Sequence, residues 1–579
     1  MNERQIEEMI QVTTKALLSK REVGQIWRGN LSSSAISTSV SVFALHEIDA
    51  VKYALLINKG VSWLQQSMKA DGTWGDSIES PSNMTATLLT YASLYAVGVK
   101  SEQTLAYLRE RFGGDSDADV IKGVLDYYGS DMTFSVPILV MCALAGVIKD
   151  WEQIPPFPFE LAVLPQSLFR FLNLPVVSYA IPALIAVGIL RFKKGKQGLM
   201  APIRRRFIKP TLKVLEKLQP ADGGFLEAAP LTAFVSMCMA QAGYCNHLVT
   251  QKAAEFLVST AREDGSWPID TDLSGWVTGL SIRALEEDLP ERNFFIDNMK
   301  VRSSKEVHPF TGAQPGGWGW SDLSGSVPDG DDTSGSLVAL HVLTQGTYSP
   351  EVGKGIEWLL GLQNKDGGMP TFCKGWGKLP FDRSSADISA HAFLAFTLWK
   401  DVLPLTLRDK AERGAGRLVA WLKQHVSAEG SWVPLWFGDQ DASDEKSPVY
   451  GTATVVEYLL ASGHPEVKEL AELGLAYLYS AQNPDGGWGG AKGVVSKVTL
   501  TSKVLSAMAS SEKPDEQALE RGVTFLYSRH QEGELFRREP IGLYFSRLWY
   551  SEELYSLTFL LMALKKVRKY IMNHKNLGQ

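Results

Sequence analysis

Strings such as TATLLTYASLYAVGV and ISAHAFLAFTLW are apolar nearly all round, as helices covered by a second helical layer must be. No alternating strand pattern recurs between them. What punctuates them instead is a repeat: an aromatic or aliphatic residue beside a leucine, then about eight further positions, then glycine and an aromatic. It runs from Trp63-Leu64 to Trp74, from Phe256-Leu257 to Trp267, from Trp421-Leu422 to Trp432 and from Tyr477-Leu478 to Trp488. Degenerate copies run from Val214-Leu215 to Phe225, from Trp358-Leu359 to Met369 and from Phe525-Leu526 to Leu535. Each copy predicts a helix that stops at an Asn/Asp-Gly turn, where glycine accepts the left-handed cap conformation. The aromatic after the turn then packs back on the helix end. Self-similarity of this kind marks an all-α chain of helix pairs, closing into α/α barrels. An open solenoid of the same pairs is the alternative that the pattern leaves standing.

Composition narrows the function classes. The chain has 579 residues, enough for more than one domain. Its 45% hydrophobic and 21% charged content is that of a globular protein, and a net charge of −6 gives no pull toward nucleic acid. Cys142, Cys238, Cys245 and Cys373 lack the spacing of a zinc site or a disulfide framework and suit a reducing, cytoplasmic setting. The N-terminal residues carry early acidic side chains and no signal-peptide pattern. Residues 132–148 and 171–190 carry no charge, but Pro175 and Pro182 interrupt the second stretch. A buried helix pair is expected there, with a hydrophobic surface dipping into one leaflet as the sharper alternative.

The most informative string is PGGWGWSDLSGSVPDGDDT, residues 315–333, which puts Asp329, Asp331 and Asp332 at the start of the helical run SGSLVALHVL. A helix N-terminus favours negative charge. Three close carboxylates out of water cannot all ionise, so at least one should keep its proton at neutral pH. An acid held that way can protonate a base as poor as an alkene. Alone, the cluster reads equally as a cap, a metal site or a solvated loop.

With the repeats beside it, the chain resembles the squalene–hopene cyclase family, including class II diterpene cyclases, over nearly its whole length. That family carries a DxDDT acid motif, whose central Asp maps onto Asp331. The resemblance implies that Asp331 is the proton donor, supported by Asp329 and Asp332. It also implies that His391, in the string DISAH with Asp387, polarises the donor, and that Tyr450, in VYGT, belongs to an acid-recharging network. For the carbocation it nominates Trp276, Trp320, Phe372 and Tyr179, and from the C-terminal string IGLYFSRLWY it nominates Tyr544, Phe545, Trp549 and Tyr550. Aromatic faces stabilise cations without attacking them. The implied architecture is two α/α barrels of the βγ type with QW-like repeats. One barrel, residues 31–270, is inserted into a catalytic barrel formed by 1–30 plus 271–579. No metal or cofactor is implied.

Departures from the hopene-forming pattern shift the expected substrate. Trp320 stands where phenylalanine is usual, Phe225 and Met369 erode the repeat, and GNLSSSAISTSV is closer to diterpene-type or merosterol-type cyclases. The expected reaction is protonation-initiated polycyclisation of a geranylgeranyl-bearing chain without diphosphate, or of a squalene-like polyene. Geranylgeranyl diphosphate cyclised to a copalyl-type product is the alternative. A diphosphate would need cations; the basic run of residues 191–209 reads rather as a solvated rim beside an apolar stretch. Motifs of class I synthases and the zinc set of a prenyltransferase are missing from the sequence. A partner-binding helical scaffold would not need Asp331 and His391 together. Beyond the polyprenyl substrate, the partners left open are a membrane touched monotopically on the inner face of the cell membrane and a second copy in a homodimer.

Overall fold

The computed structural model describes residues 2–129, 132–164, 181–307, 314–371, 382–543 and 547–577. Two rings of inner helices organise it. After the N-terminal helix α1 (Glu3–Ser19), the first ring is α2 (Ala35–Asp49), α3 (Met84–Ala96), α4 (Met132–Leu144), α5 (Ile181–Lys194) and α6 (Ala229–Met239). Each packs on the next, and α6 packs back on α2. The second ring is α7 (Ser274–Leu285), α8 (Gly330–Thr344), α9 (Ala386–Trp399), α10 (Pro448–Ala461), α11 (Val498–Ala509) and α12 (Glu553–Leu577), and α12 packs back on α7. Both rings close, so the α/α barrel expectation holds and the open solenoid does not.

The hydrophobic pattern explains the layering. In α9 nearly every residue from Ala386 to Phe396 is buried, because an outer helix covers one side and the barrel interior the other. The outer helix Leu405–Gln424 buries only one stripe, including Leu407, Ala411, Leu418 and Leu422, and its charged residues face out. One hydrophobic core spans Ala35 to Trp267; the other joins Ile6–Leu31 to Ile269–Ile571. Trp436 and Leu548 pack against both.

The repeats act as stitches. Indole N–H groups of Trp74, Trp267, Trp432 and Trp488 donate to the carbonyls of Leu64, Leu257, Leu422 and Leu478 at 2.7, 2.7, 3.1 and 2.8 Å. Each thereby satisfies a carbonyl that the helix end leaves open. The backbone N–H of the same tryptophans donates to a threonine of an inner helix: Thr87, Thr38, Thr452 and Thr501. One residue thus ties an outer helix to an inner one. The eroded copies keep half of this: Phe225 and Met369 still donate through the backbone to Thr232 and Ser389, and neither side chain can make the indole bond. Trp27 is a further copy that the sequence pattern had hidden, donating to Leu17 O at 2.9 Å.

Two expectations need adjustment, and the expected buried helices are present. Short strands exist: β1 (Phe437–Gly438), β2 (Ile541–Leu543) and β3 (Leu548–Tyr550) form an antiparallel sheet in the order β1-β2-β3. They are too brief to show alternation in sequence. The described parts of the uncharged stretches are the buried ring helices α4 and α5, and among the described residues no helix is long and apolar enough to cross a membrane. The basic run is not simply a solvated rim. Arg191 is buried and donates to Ile154 O at 2.9 Å, and Arg204 pairs with Glu160 at 3.0 Å over the rings of Phe159 and Phe192. Lys193, Lys194, Lys196, Arg205, Arg206 and Lys209 are the exposed remainder.

Candidate active site

A cavity of about 300 Å³ lies where the two cores meet. The first barrel contributes Leu89, Phe134, Pro137 and Phe234, and the second contributes Trp276, Trp320 and Ile388. The sheet and the loop before it add Trp436, Phe437 and Tyr550. Asp331 faces this space, in a mostly apolar wall, with 23% of its side chain exposed.

Local sequence sets that position. Asp329 is the N-cap of α8, and its carboxylate accepts the backbone N–H groups of Asp331 and Asp332, both at 2.8 Å. Asp331 therefore sits in the first helical turn, pointing from the end of an inner helix. Gly330 between them donates to Thr371 O at 2.6 Å, and a Cβ there would lie 2.6 Å from Pro370 O. Burial raises the carboxyls of both Asp329 and Asp332, and the negative charge of each neighbouring carboxylate adds to the rise at Asp332.

His391, fully buried on α9, brings Nδ1 to 2.7 Å from Asp331 Oδ1. Burial lowers its basicity below the ordinary histidine value, and the hydrogen bond to Asp331 only partly offsets this. The ring is held on both faces: Tyr458 stacks on it at 4.3 Å and Trp276 meets it edge-on at 6.2 Å. Gly335 makes room, since a Cβ there would come within 3.2 Å of Trp276 and 3.3 Å of His391. One turn earlier on α9, Asp387 is buried and accepts a hydrogen bond from the Ser385 hydroxyl, and burial pushes its carboxyl up to about 6. Tyr450 is buried against Phe437, ring centres 4.8 Å apart, and burial raises its hydroxyl well above the tyrosine value.

Models of the squalene–hopene cyclase C-terminal and N-terminal domains match residues 306–569 and 10–110. The chain belongs to the squalene–hopene cyclase family. It is 23% identical to a probable squalene–hopene cyclase of Sinorhizobium fredii, over 97% of each chain. It is 22% identical to enfumafungin synthase of Hormonema carpetanum, over 87% of this chain but only 44% of that longer protein. Among solved structures, ent-copalyl diphosphate synthase from Streptomyces platensis has the same fold, with a TM-score of 0.54 and 15% identity, and the match covers 98% of this chain and 99% of that one. Class II terpene cyclases are thus its relatives throughout.

In this cyclase the nominated aromatics divide. Trp276, Trp320 and Tyr550 line the cavity. Trp549 does not: successive residues of a strand point to opposite faces, so Leu548 and Tyr550 face the cavity and Trp549 is buried on the other side. Phe372, Tyr179, Tyr544 and Phe545 lie outside the described residues. Other groups were not nominated from the sequence. Trp436 and Tyr555 line the cavity from a loop and from α12. Asp270, just before α7, is a further carboxyl in the wall besides Asp329, Asp331 and Asp332, raised by burial and held by the Thr271 N–H at 2.7 Å. Tyr458 follows Tyr450 on the same helix by just over two turns, but nothing in sequence ties either to His391.

Proposed function

We propose that this family member cyclises a linear polyprenyl chain by delivering a proton from Asp331 to the double bond farthest from the head group. The observation that carries the reading is the hydrogen bond of a cavity-facing Asp331 to a buried His391 inside an apolar and aromatic wall. In the step, the Asp331 O–H bond breaks, a C–H bond forms on the alkene, and the neighbouring carbon becomes a tertiary cation that the next double bond attacks. Asp329 holds Asp331 in place as the cap of α8, Asp332 shares its proton with Asp329, Asp387 anchors the turn below His391, and Tyr450 belongs to the path that returns a proton to Asp331. Trp276, Trp320 and Tyr550 present π faces to the cation, at ~0.5–2 kcal/mol per contact. The same wall excludes the water that would quench it. We read residues 31–270 as a domain inserted into a catalytic domain of 1–30 plus 271–579.

For the substrate, wall chemistry favours a chain without diphosphate. Among the described lining residues Arg547 is the one cation, and it is paired with Glu445 at 3.3 Å. A diphosphate would also face Asp270 and the acid triplet. A geranylgeranylated hydroxybenzoate or a squalene-like polyene fits this wall better than geranylgeranyl diphosphate. Incubating the purified protein with geranylgeranyl dihydroxybenzoate, squalene and geranylgeranyl diphosphate, with mass-spectrometric identification of products, should give cyclised product from one of the first two. A bicyclic diphosphate as main product would refute this choice of substrate.

The same protein is expected to touch a membrane without crossing it. Leu199, Met200, Ile203 and Phe207 are exposed beside Arg205 and Arg206, an apolar and basic combination suited to a leaflet surface. Flotation with anionic vesicles should carry the protein, and replacing Leu199, Ile203 and Phe207 by Ser should leave it at the bottom of the gradient. Equal flotation of both would remove this surface as the contact.

A further inference from the structure

Opposite the edge of His391 that meets Asp331 lies a half-buried guanidinium. Arg283, on α7, brings Nη1 to 3.3 Å from His391 Nε2 and to 3.4 Å from the Tyr458 hydroxyl. Its guanidinium carbon sits 5.3 Å from the centre of the Tyr458 ring, the same ring that stacks on His391. Neither Arg283 nor His391 lines the cavity. Nothing in the sequence pattern singled Arg283 out, because an arginine in SGWVTGLSIRAL reads as an outward-facing position.

A guanidinium offers only donors and stays charged. It can bond Nε2 only if that nitrogen presents its lone pair. The single ring proton of a neutral His391 must then be on Nδ1, from which it donates to Asp331 Oδ1. The Asp331–His391 pair could otherwise hold its transferable proton in two ways: as carboxylic acid beside imidazole, or as carboxylate beside imidazolium. Only the first leaves a proton at the cavity. The imidazolium needs a proton on Nε2, the atom that faces Arg283.

We propose that Arg283 is a positioning residue that denies His391 Nε2 a proton and so keeps the transferable proton of the pair on Asp331, on the oxygen not bonded to the ring. The proposal rests on the reading of Asp331 as the acid and says why the acid holds its proton beside a histidine. Of the other charged groups around His391, Lys503 acts in the same sense. Lys503 of α11 lies behind the Tyr458 and Tyr450 rings, at 5.6 and 5.3 Å from their centres. Glu457 of α10 is shared between Lys503 and Lys566 and so neutralises only part of the positive charge. Asp387 and Asp331 are the opposing carboxyls, and Asp387 is raised by burial toward its neutral form. When Asp331 gives up its proton, the Oδ–H electron pair stays on the carboxylate, which still accepts Nδ1–H from His391 and has Arg283 beyond the ring.

The test reads His391 directly. Protein labelled with ¹⁵N-histidine, with the His391 resonance assigned through its loss in His391→Asn, should show a protonated Nδ1 and a bare Nε2 in the wild type without substrate. Arg283→Met should convert His391 to the imidazolium or to the Nε2–H form and lower turnover at least roughly tenfold, and Arg283→Lys should restore part of both. If Arg283→Met does not fold, Arg283→Lys and Arg283→Gln are read instead, with the smaller change expected for Lys. A protonated Nε2 in the wild type, or an unchanged His391 signature in the variants, would overturn the proposal. Continued turnover by Asp331→Asn would instead remove the acid reading, leaving the tautomer measurement standing by itself.

Discussion

Asp331→Asn should reduce cyclisation by about three orders of magnitude or more, the upper part of the range for losing a positioned acid, with the fold unchanged. Asparagine matches aspartic acid in shape, and its amide oxygen can still accept Nδ1–H from His391. What it lacks is the proton. Since Asp331 points from the first turn of α8 and its backbone N–H is bonded to Asp329, substitution leaves the cap intact. Circular dichroism and the melting temperature should therefore match the wild type, while product formation falls to background. Removing Asp329 is a different experiment, because it also removes the acceptor for two backbone N–H groups. A variant Asp331→Asn within tenfold of wild-type turnover would show that the initiating proton comes from elsewhere.

Glu457→Ala should cost the most in stability of any single change at the back of the site. Glu457 is 4% exposed and receives Lys566 at 2.8 Å, Lys503 at 3.3 Å and the Ser506 hydroxyl at 2.9 Å. Burial alone would raise its carboxyl, yet the surrounding Lys566, Lys503 and Arg283 hold it well below the usual carboxylate range. Breaking a buried pair by removing one partner costs about 3–5 kcal/mol, because the other charge is left unpaired. Here Lys503, 6% exposed, and the half-buried Arg283 would both lose a counter-charge. A melting temperature several degrees lower is expected, with Glu457→Gln losing less because it keeps an acceptor for Ser506. Thermal unfolding of both variants checks this, and an unchanged Glu457→Ala would mean that water already reaches these lysines.

The two variants separate chemistry from scaffold. Asp331 stands at an opening and holds nothing together, whereas Glu457 holds three inner helices at a point no substrate reaches. Arg283 belongs to both groups: it shares the buried charge cluster with Glu457 and touches the ring that touches the acid. Its loss should therefore show in the His391 signature before it shows in the melting temperature.

The class of fold was legible because each repeat carries its own instruction. A helix end, a glycine at positive φ such as Gly72, Gly265, Gly430 and Gly486, and an aromatic ten residues after the leucine it caps are all local features. Asp331 and His391 were legible as a candidate pair because α8 and α9 each carry one of them near a helix start in a recognisable string. Trp320 and Trp276 were reachable for the same reason, being close in sequence to the acid or to an inner helix start.

The remaining wall had no such address. Which of Trp549 and Tyr550 faces the cavity depends on the orientation of a three-residue strand, and a shift by one position would reverse it. Trp436 reaches the cavity because the loop before β1 crosses between the two cores, a matter of how the barrels meet. Arg191 and Arg204 turned inward because Ile154 O and Glu160 wait for them in the packed first barrel, and charge patterning alone marked them as surface. The sequence by itself determined paired helices, closed at glycine turns, and an acid at a helix start beside a histidine. Only the tertiary structure decided which side chains share its cavity and which cation stands behind the histidine, because those contacts join residues more than a hundred positions apart: Arg283 and His391 lie on helices that are not consecutive in the ring.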